Sequence, residues 1–184
     1  AAKTLKKVSL ELGGKNSLII LDDADIELAA ENIAWGAFLH SGQICMTSGK
    51  ILIHQNIYEQ VKQRVIEKVK NFVVGNPCES HVTIGPLINA KQAQRVEQLV
   101  NAAVAEGATL EVGGRSDGVF FEPTVLSDVT ANNSIFSEEI FGPVLPIQIV
   151  DDLDEAIAHA NNSEFGLTSS IFTRDLNAAM KATT

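Results

Sequence analysis

Apolar residues follow two different spacings along this chain. Short apolar runs are typical of buried strands, and they occur at 17–21, 50–54, 109–112, 123–126, 144–150 and 168–172. Between them, apolar residues recur every third or fourth position, as on one face of a helix; these stripes span 26–38, 58–69, 93–103 and 153–160. Strands that alternate with helices predict an α/β fold of three layers, α/β/α, with a mainly parallel sheet.

The first helical stripe has clear boundary signals. Asp22, Asp23 and Asp25 precede it and can cap its first turn, while Gly42 marks its end. The third stripe ends in the same way, at Gly107. The sequence shows no internal repeat or linker, so we predict a single domain over residues 1–184.

Composition narrows the class of protein. The 184 residues are 45% hydrophobic, enough to form a core without disulfides or metals. A net charge of -9, spread along the chain, argues against nucleic-acid binding and against a polybasic membrane patch. No apolar run approaches the ~20 residues that cross a bilayer, and nothing marks secretion. With only two cysteines, we expect a cytoplasmic protein with no membrane partner.

Cys45 is the first candidate for chemistry. It lies in a loop of small residues, L-H-S-G-Q-I-C-M-T-S-G-K at 39–50, between a helical stripe and a strand. A thiolate there could attack a ligand, although a lone cysteine also serves as a small buried apolar residue. His40 could act as its base, but five positions across a helix end fix no geometry, so a histidine near substrate or solvent is the simpler interpretation. Cys78, in a polar loop, is assigned no chemistry.

Glu11 is the second candidate. It interrupts the apolar run 8–12, which breaks at Gly13 and Gly14, so we expect it at or near the end of a strand. One interpretation is a carboxylate on the polar face of an alternating strand. The other is a general base whose pKa is raised by partial burial.

Other familiar motifs are absent. Neither Gly14-Lys15 nor Gly49-Lys50 belongs to a phosphate-binding loop, and the sequence contains no G-x-G-x-x-G dinucleotide fingerprint. The four histidines share no metal-ligand spacing with one another or with the cysteines. We therefore predict no metal site.

Four motifs together resemble the catalytic domain of the aldehyde dehydrogenase superfamily. They are L-E-L-G-G-K at 10–15, G-Q-I-C at 42–45, G-P-L-I-N at 85–89 and E-E-I-F-G-P-V at 138–144, and the resemblance covers essentially the whole chain. It implies that Cys45 adds to an aldehyde, that hydride passes to NAD or NADP, and that Glu11 activates the water that hydrolyses the thioester. The carboxylate at position 11 argues for hydrolysis and against the acylating relatives.

The resemblance also implies a cofactor site. Glu139 matches the carboxylate that binds the nicotinamide ribose hydroxyls, and Phe141 matches a ring packed near the nicotinamide. Gln92 resembles a second ribose contact, with Arg95 at a place where a basic residue is often found. Leu12 and Gly13 match the backbone beside the nicotinamide carboxamide. The oxyanion donors would be the Cys45 backbone amide and an asparagine upstream of this sequence.

Members of the superfamily are longer, and the resemblance places Ala1 to Lys7 at the end of a helix and 180–184 within another. We therefore expect a catalytic domain excised from a homodimeric or homotetrameric enzyme and poorly active alone.

The sequence of residues 34–46 is similar to that of family members that oxidise aromatic aldehydes such as benzaldehyde or vanillin. Trp35 and Phe38 could be core residues or substrate contacts. The alternative function is a non-catalytic domain with a structural or binding role.

Overall fold

The computed structural model describes residues 1–183, which form a central sheet covered by helices on both faces. The strands are β1 (Asn16–Ile20), β2 (Ser48–His54), β3 (Thr109–Val112), β4 (Ser116–Asp117), β5 (Phe120–Phe121), β6 (Thr124–Ser127), β7 (Val144–Val150) and β8 (Ser169–Phe172). The helices are α1 (Ile26–Phe38), α2 (Tyr58–Val69), α3 (Ala90–Ala105), α4 (Leu153–Asn161) and α5 (Leu176–Lys181).

The main sheet has the strand order β3-β6-β7-β2-β1-β8. Every neighbouring pair is parallel except β3 with β6. The predicted α/β fold with a mainly parallel sheet is therefore confirmed. The short β4–β5 hairpin was not predicted, because strands of two residues are too short to show a periodic pattern.

Each face of the sheet carries its own apolar core. Ile51 and Ile53 of β2 lie in the cluster formed with α1 and α2. Leu52, between them, lies in the cluster formed with α3 and α4 on the opposite face. All three side chains are fully buried, so the predicted strand at 50–54 is a central strand with no polar face.

Side-chain caps mark where α1 and α3 begin. Asp25 accepts a hydrogen bond from the backbone N–H of Leu28 (3.1 Å), so the predicted cap of α1 is present. Asn89 caps α3 in the same way, through the N–H of Gln92 (2.9 Å). The α1 helix ends at Phe38, and a 3₁₀ turn over Leu39–Gly42 continues to the predicted boundary at Gly42.

The predicted strand around Glu11 is wrong. Residues 6–15 form no helix or strand, and Val8, Leu10 and Leu12 are 59%, 70% and 68% exposed. No neighbouring strand pairs with this segment within residues 1–183, so alternating apolar residues alone did not produce a strand. At the chain ends, a 3₁₀ turn over Ala2–Thr4 replaces the expected helix end, and α5 stops at Lys181; Thr184 lies outside the described residues.

Candidate functional site

The predicted site lies at the edge of the sheet where four neighbouring parallel strands begin. Strands β7, β2, β1 and β8 are parallel and adjacent, so the residues that precede them meet at one edge. These segments are 139–143 before β7, 43–47 before β2, 13–15 before β1 and 166–168 before β8. Sequence positions more than one hundred residues apart are thereby brought together.

The chain reverses sharply between α1 and Cys45. His40, Ser41 and Gly42 all have left-handed backbone conformations, with φ of 50°, 58° and 68°. This conformation costs roughly 1–2 kcal/mol for a residue other than glycine, so other contacts must hold it. One is the hydroxyl of Ser41, which donates to the carbonyl of Gly85 (3.0 Å).

Cys45 occupies a tight turn immediately after this reversal. The backbone N–H of Thr47 donates to the carbonyl of Ile44 (3.0 Å), which closes the turn around Cys45 and Met46. Cys45 is half-buried and forms no disulfide. Within residues 1–183 its backbone N–H donates to no protein acceptor, so this donor is available to a ligand.

Asn16 links the Cys45 turn to two other strands. Its side-chain nitrogen donates to the carbonyls of Cys45 and Thr47, both at 2.8 Å, and its oxygen accepts from the N–H of Thr168 (3.2 Å). The side chain is buried at the first position of β1. Sequence reasoning missed Asn16; the signal was a polar amide that opens an apolar strand.

Glu139 joins the segment before β7 to the glycines before β1. Its Oε1 accepts from the backbone N–H of Gly14 (2.9 Å). A Cβ at Gly13 would lie 2.5 Å from Oε2 of Glu139, so a larger residue at position 13 would displace the Glu139 carboxylate. The predicted cofactor residues Gly13 and Glu139 are therefore direct neighbours.

Two side chains of α3 hold the backbone around Phe141. Gln92 Nε2 donates to the carbonyls of Ile140 (3.1 Å) and Phe141 (2.9 Å). Arg95 donates to the carbonyls of Glu139 and Ile140, both at 2.8 Å. Three successive carbonyls are thus held, and Phe141 keeps a left-handed φ of 53° with 38% of its surface exposed. The side-chain oxygen of Gln92 accepts no hydrogen bond from residues 1–183.

Two buried lysines lie beneath this edge. Lys15 is 4% exposed and donates to the carbonyl of Ile135 (2.7 Å); burial, followed by repulsion from Lys50, lowers its pKa to about 7. Lys50 is 1% exposed and donates to the carbonyls of His159 (3.2 Å) and Asn162 (2.9 Å); burial lowers its pKa as well. Neither lysine forms a salt bridge within residues 1–183.

Other candidate residues lie apart from these contacts. Glu11 and Leu12 are exposed, and Glu11 makes no side-chain hydrogen bond or ion pair within residues 1–183. Trp35 is 62% exposed and lines a groove of about 730 Å³ between α1 and the end of α2, so it is not a core residue. Phe38 is buried and packs edge-on against Phe72, with ring centroids 5.6 Å apart. His40 is exposed.

Two other kinds of site are absent from the described part of the chain. Residues 1–183 contain no group of three or more His, Cys, Asp or Glu side chains arranged to hold a metal ion. None of the helices in that range combines the length and apolarity that a membrane span requires.

This chain is similar to known proteins in sequence and in fold. A sequence model of the aldehyde dehydrogenase family matches residues 1–184. Benzaldehyde dehydrogenase [NAD(+)] of Pseudomonas putida is 47% identical over 174 residues, which are 95% of this chain and 36% of that protein.

The fold of this chain is also similar to those of solved structures. The crystal structure of lactaldehyde dehydrogenase from Escherichia coli superimposes with a TM-score of 0.93 at 47% identity, over 99% of this chain and 39% of that one. The crystal structure of betaine aldehyde dehydrogenase from Staphylococcus aureus, in complex with NAD+, superimposes with a TM-score of 0.92 at 38% identity. The match covers 99% of this chain and 38% of that one. This chain therefore spans less than two fifths of the length of these relatives. The chain belongs to the aldehyde dehydrogenase family.

Proposed function

We propose that this chain is the catalytic domain of a longer NAD(P)-dependent aldehyde dehydrogenase that oxidises an aldehyde to a carboxylic acid. The supporting observation is the convergence of the Cys45 turn, the glycines before β1 and the Glu139–Phe141 segment at one edge of the sheet. A nucleophile and cofactor-binding groups must be adjacent for such a reaction, and this edge places the candidates for both together.

Cys45 is the proposed nucleophile. Its thiolate adds to the aldehyde carbonyl, which forms a C–S bond and places the electron pair on the carbonyl oxygen. The free backbone N–H of Cys45 is suited to stabilise that oxyanion. In comparable acyl chemistry, loss of one such donor raises the transition-state free energy by about 3 kcal/mol. A backbone N–H that has no protein acceptor within residues 1–183 and lies at the nucleophile itself therefore supports the assignment of Cys45.

The residues around Glu139 fit a nicotinamide cofactor. The Glu139 carboxylate retains acceptor capacity for ribose hydroxyls beyond its hydrogen bond from Gly14, and the unpaired oxygen of Gln92 offers one more acceptor. Phe141 is partly exposed, and Gly13 lies beside the Glu139 carboxylate with no side chain of its own, so Leu12 and Gly13 are the proposed backbone contacts of the nicotinamide carboxamide. When bound, the nicotinamide supplies the acceptor for the hydride that leaves the thiohemiacetal carbon.

Glu11 is the proposed general base. Its carboxylate takes a proton from the water that attacks the Cys45 thioester, and collapse of the resulting intermediate releases the carboxylic acid and the thiolate. The segment 6–15 carries Glu11 outside any helix or strand, two residues before the glycines that contact Glu139. This position lets the base approach the site by a movement of irregular backbone rather than of a packed element.

We further propose an aromatic aldehyde as the substrate, on the similarity to the Pseudomonas putida benzaldehyde dehydrogenase. The equal identity to a lactaldehyde dehydrogenase makes a short hydroxyaldehyde the competing assignment. The ranking of kcat/KM for benzaldehyde, vanillin and lactaldehyde decides between them. A higher value for lactaldehyde than for both aromatic aldehydes would overturn the aromatic assignment.

The mechanism is tested by NAD(P)H formation with the full-length protein. Cys45→Ala should abolish turnover, whereas Cys78→Ala, at the other free cysteine, which is exposed, should leave turnover unchanged. Glu11→Gln should form NAD(P)H in a single turnover and accumulate a thioester on Cys45, visible by mass spectrometry. If Cys45→Ala retains the wild-type rate, or if no aldehyde is oxidised with either cofactor, a non-catalytic structural or binding role becomes the better assignment.

A further inference from the structure

The side chain of Gln43 connects the nucleophile loop to a second loop. Its Oε1 accepts from the backbone N–H of Ile88 (2.9 Å), and its Nε2 donates to the carbonyls of Pro86 (3.3 Å) and His40 (3.5 Å). The amide therefore uses its donor and its acceptor on residues 86 and 88, as the backbone of a paired strand would. Gln43 is half-buried, which favours these bonds over bonds to water.

Gln43 is placed where this connection controls the Cys45 turn. It directly follows the left-handed residues 40–42 and directly precedes Ile44, whose carbonyl closes the turn. A left-handed run of this kind is costly and does not fix its own geometry. The side chain of Gln43 holds the end of the run against a separate segment.

That segment leads into the helix that holds the candidate cofactor loop. Residues 86–88 enter α3, whose Gln92 and Arg95 hold the carbonyls of 139–141. Glu139 accepts from Gly14, and Asn16, two residues later, donates to the Cys45 carbonyl. The contacts therefore form a closed ring from the Cys45 turn through Gln43, α3 and Glu139 back to Cys45.

We propose that Gln43 is a positioning residue that fixes the Cys45 turn relative to α3. Its consequence for turnover rests on the proposed function, but its effect on the thiol does not. Loss of the Gln43 bridge removes the link of the ring nearest to Cys45, while the hydrogen bond from Ser41 to Gly85 and the Gln92 and Arg95 contacts stay in place. The reactivity of Cys45 should fall, while the affinity for the cofactor should remain.

Two substitutions separate this role from a general loss of stability. Gln43→Met keeps the length of the side chain and removes all three of its hydrogen bonds. Gln43→Glu keeps the acceptor for Ile88 but, when ionised, directs an oxygen at the carbonyls of Pro86 and His40. A protonated carboxyl at position 43 regains a donor, so the defect of this variant relative to wild type should shrink as the pH falls from about 8 to about 4.3, the ordinary pKa of a glutamate.

The experiment measures alkylation of Cys45 by iodoacetamide in the full-length protein that carries Cys78→Ala. Gln43→Met should lower the alkylation rate and kcat about tenfold, because small misplacement of a reacting group has large rate effects, with cofactor KM changed less than about twofold. Gln98→Met is the matched control: Gln98 is exposed on α3, makes no side-chain hydrogen bond within residues 1–183 and should behave as wild type.

Three results would overturn the proposal. One is a wild-type alkylation rate in a folded Gln43→Met protein. Another is a rise in cofactor KM with kcat unchanged. If Gln43→Met does not fold, a Gln43→Glu defect that is independent of pH counts equally against the role. Because alkylation needs no aldehyde or cofactor, a protein that oxidises no aldehyde would refute the proposed function and still decide the role of Gln43.

Discussion

At the scale of single residues, the buried Lys15 makes stability depend on pH. The charged groups that act on it are Lys50 and Arg95, which lower its pKa, and Glu138 and Glu139, which raise it. Burial outweighs them all and brings the pKa to about 7 from its ordinary value of 10.5. Lys15 therefore binds its proton much less tightly in the folded protein than in the unfolded chain.

The sign of the resulting pH dependence is fixed by this difference. Between about pH 7 and pH 10.5 the unfolded chain binds more protons at Lys15, so the contribution of Lys15 to stability rises as the pH rises. In urea unfolding, the wild type should gain stability relative to Lys15→Met across this range. For Lys91→Met, at an exposed lysine of α3, the curve of unfolding free energy against pH should run parallel to that of the wild type. Parallel curves for Lys15→Met would contradict the prediction.

Sequence reasoning at this scale selected groups with distinctive chemistry and missed the amides. Cys45 and Glu139 were chosen from motifs, and the structure places both at the same edge of the sheet. Asn16 and Gln43 were not given a role. An amide side chain shows its importance only through its partners, and two of the three partners of Gln43 lie 43 and 45 residues away.

At the scale of elements, the left-handed passage from α1 to the Cys45 turn determines the geometry of the site. Gly42 lies at its end with φ of 68°, and a Cβ there would collide with the backbone carbonyl of Gly142 before β7. The passage therefore packs directly against the segment that follows Phe141. Backbone conformation and a close contact both require glycine at this position.

Substitution of Gly42 should be far more damaging than substitution of an equivalent open glycine. Gly118 has a similar φ of 62°, and a Cβ added there would meet no atom within 4 Å. Gly118→Ala should cost about 1–2 kcal/mol of unfolding free energy, from backbone strain alone. Gly42→Ala should cost a further ~1–3 kcal/mol from the collision and should slow alkylation of Cys45. Equal losses in urea unfolding would show that the Gly142 contact is not restrictive.

At the scale of the whole molecule, a central sheet separates two apolar cores, and β2 contributes to both. Leu52 is fully buried in the α3 and α4 core. Leu52→Ala should cost about 2–5 kcal/mol, whereas Leu110→Ala, at a β3 residue 43% exposed, should cost less than about 1 kcal/mol. Chemical denaturation measures the unfolding free energy of both variants. A similar loss for the two variants would contradict the assignment of Leu52 to a closely packed core.

The extent of the chain also sets an expectation for activity. It spans 36% to 39% of the compared relatives, and the proposed reaction needs a complete cofactor site and a second oxyanion donor. The 184 residues alone should oxidise aldehydes far more slowly than the full-length protein, while Cys45 should still react with iodoacetamide. NAD(P)H formation with both proteins tests this. Equal rates would place every essential group within these residues.

The sequence by itself determined the order of the longer strands and helices and the family, because periodic apolar patterns and four ordered motifs are local signals. It failed at residues 8–12, where alternation predicted a strand that has no partner. Only the tertiary structure decided that four strand starts meet at one edge, that α3 holds the Phe141 backbone and that Gln43 connects two loops. These contacts join residues distant in sequence, and no local pattern specifies which distant backbone groups will meet.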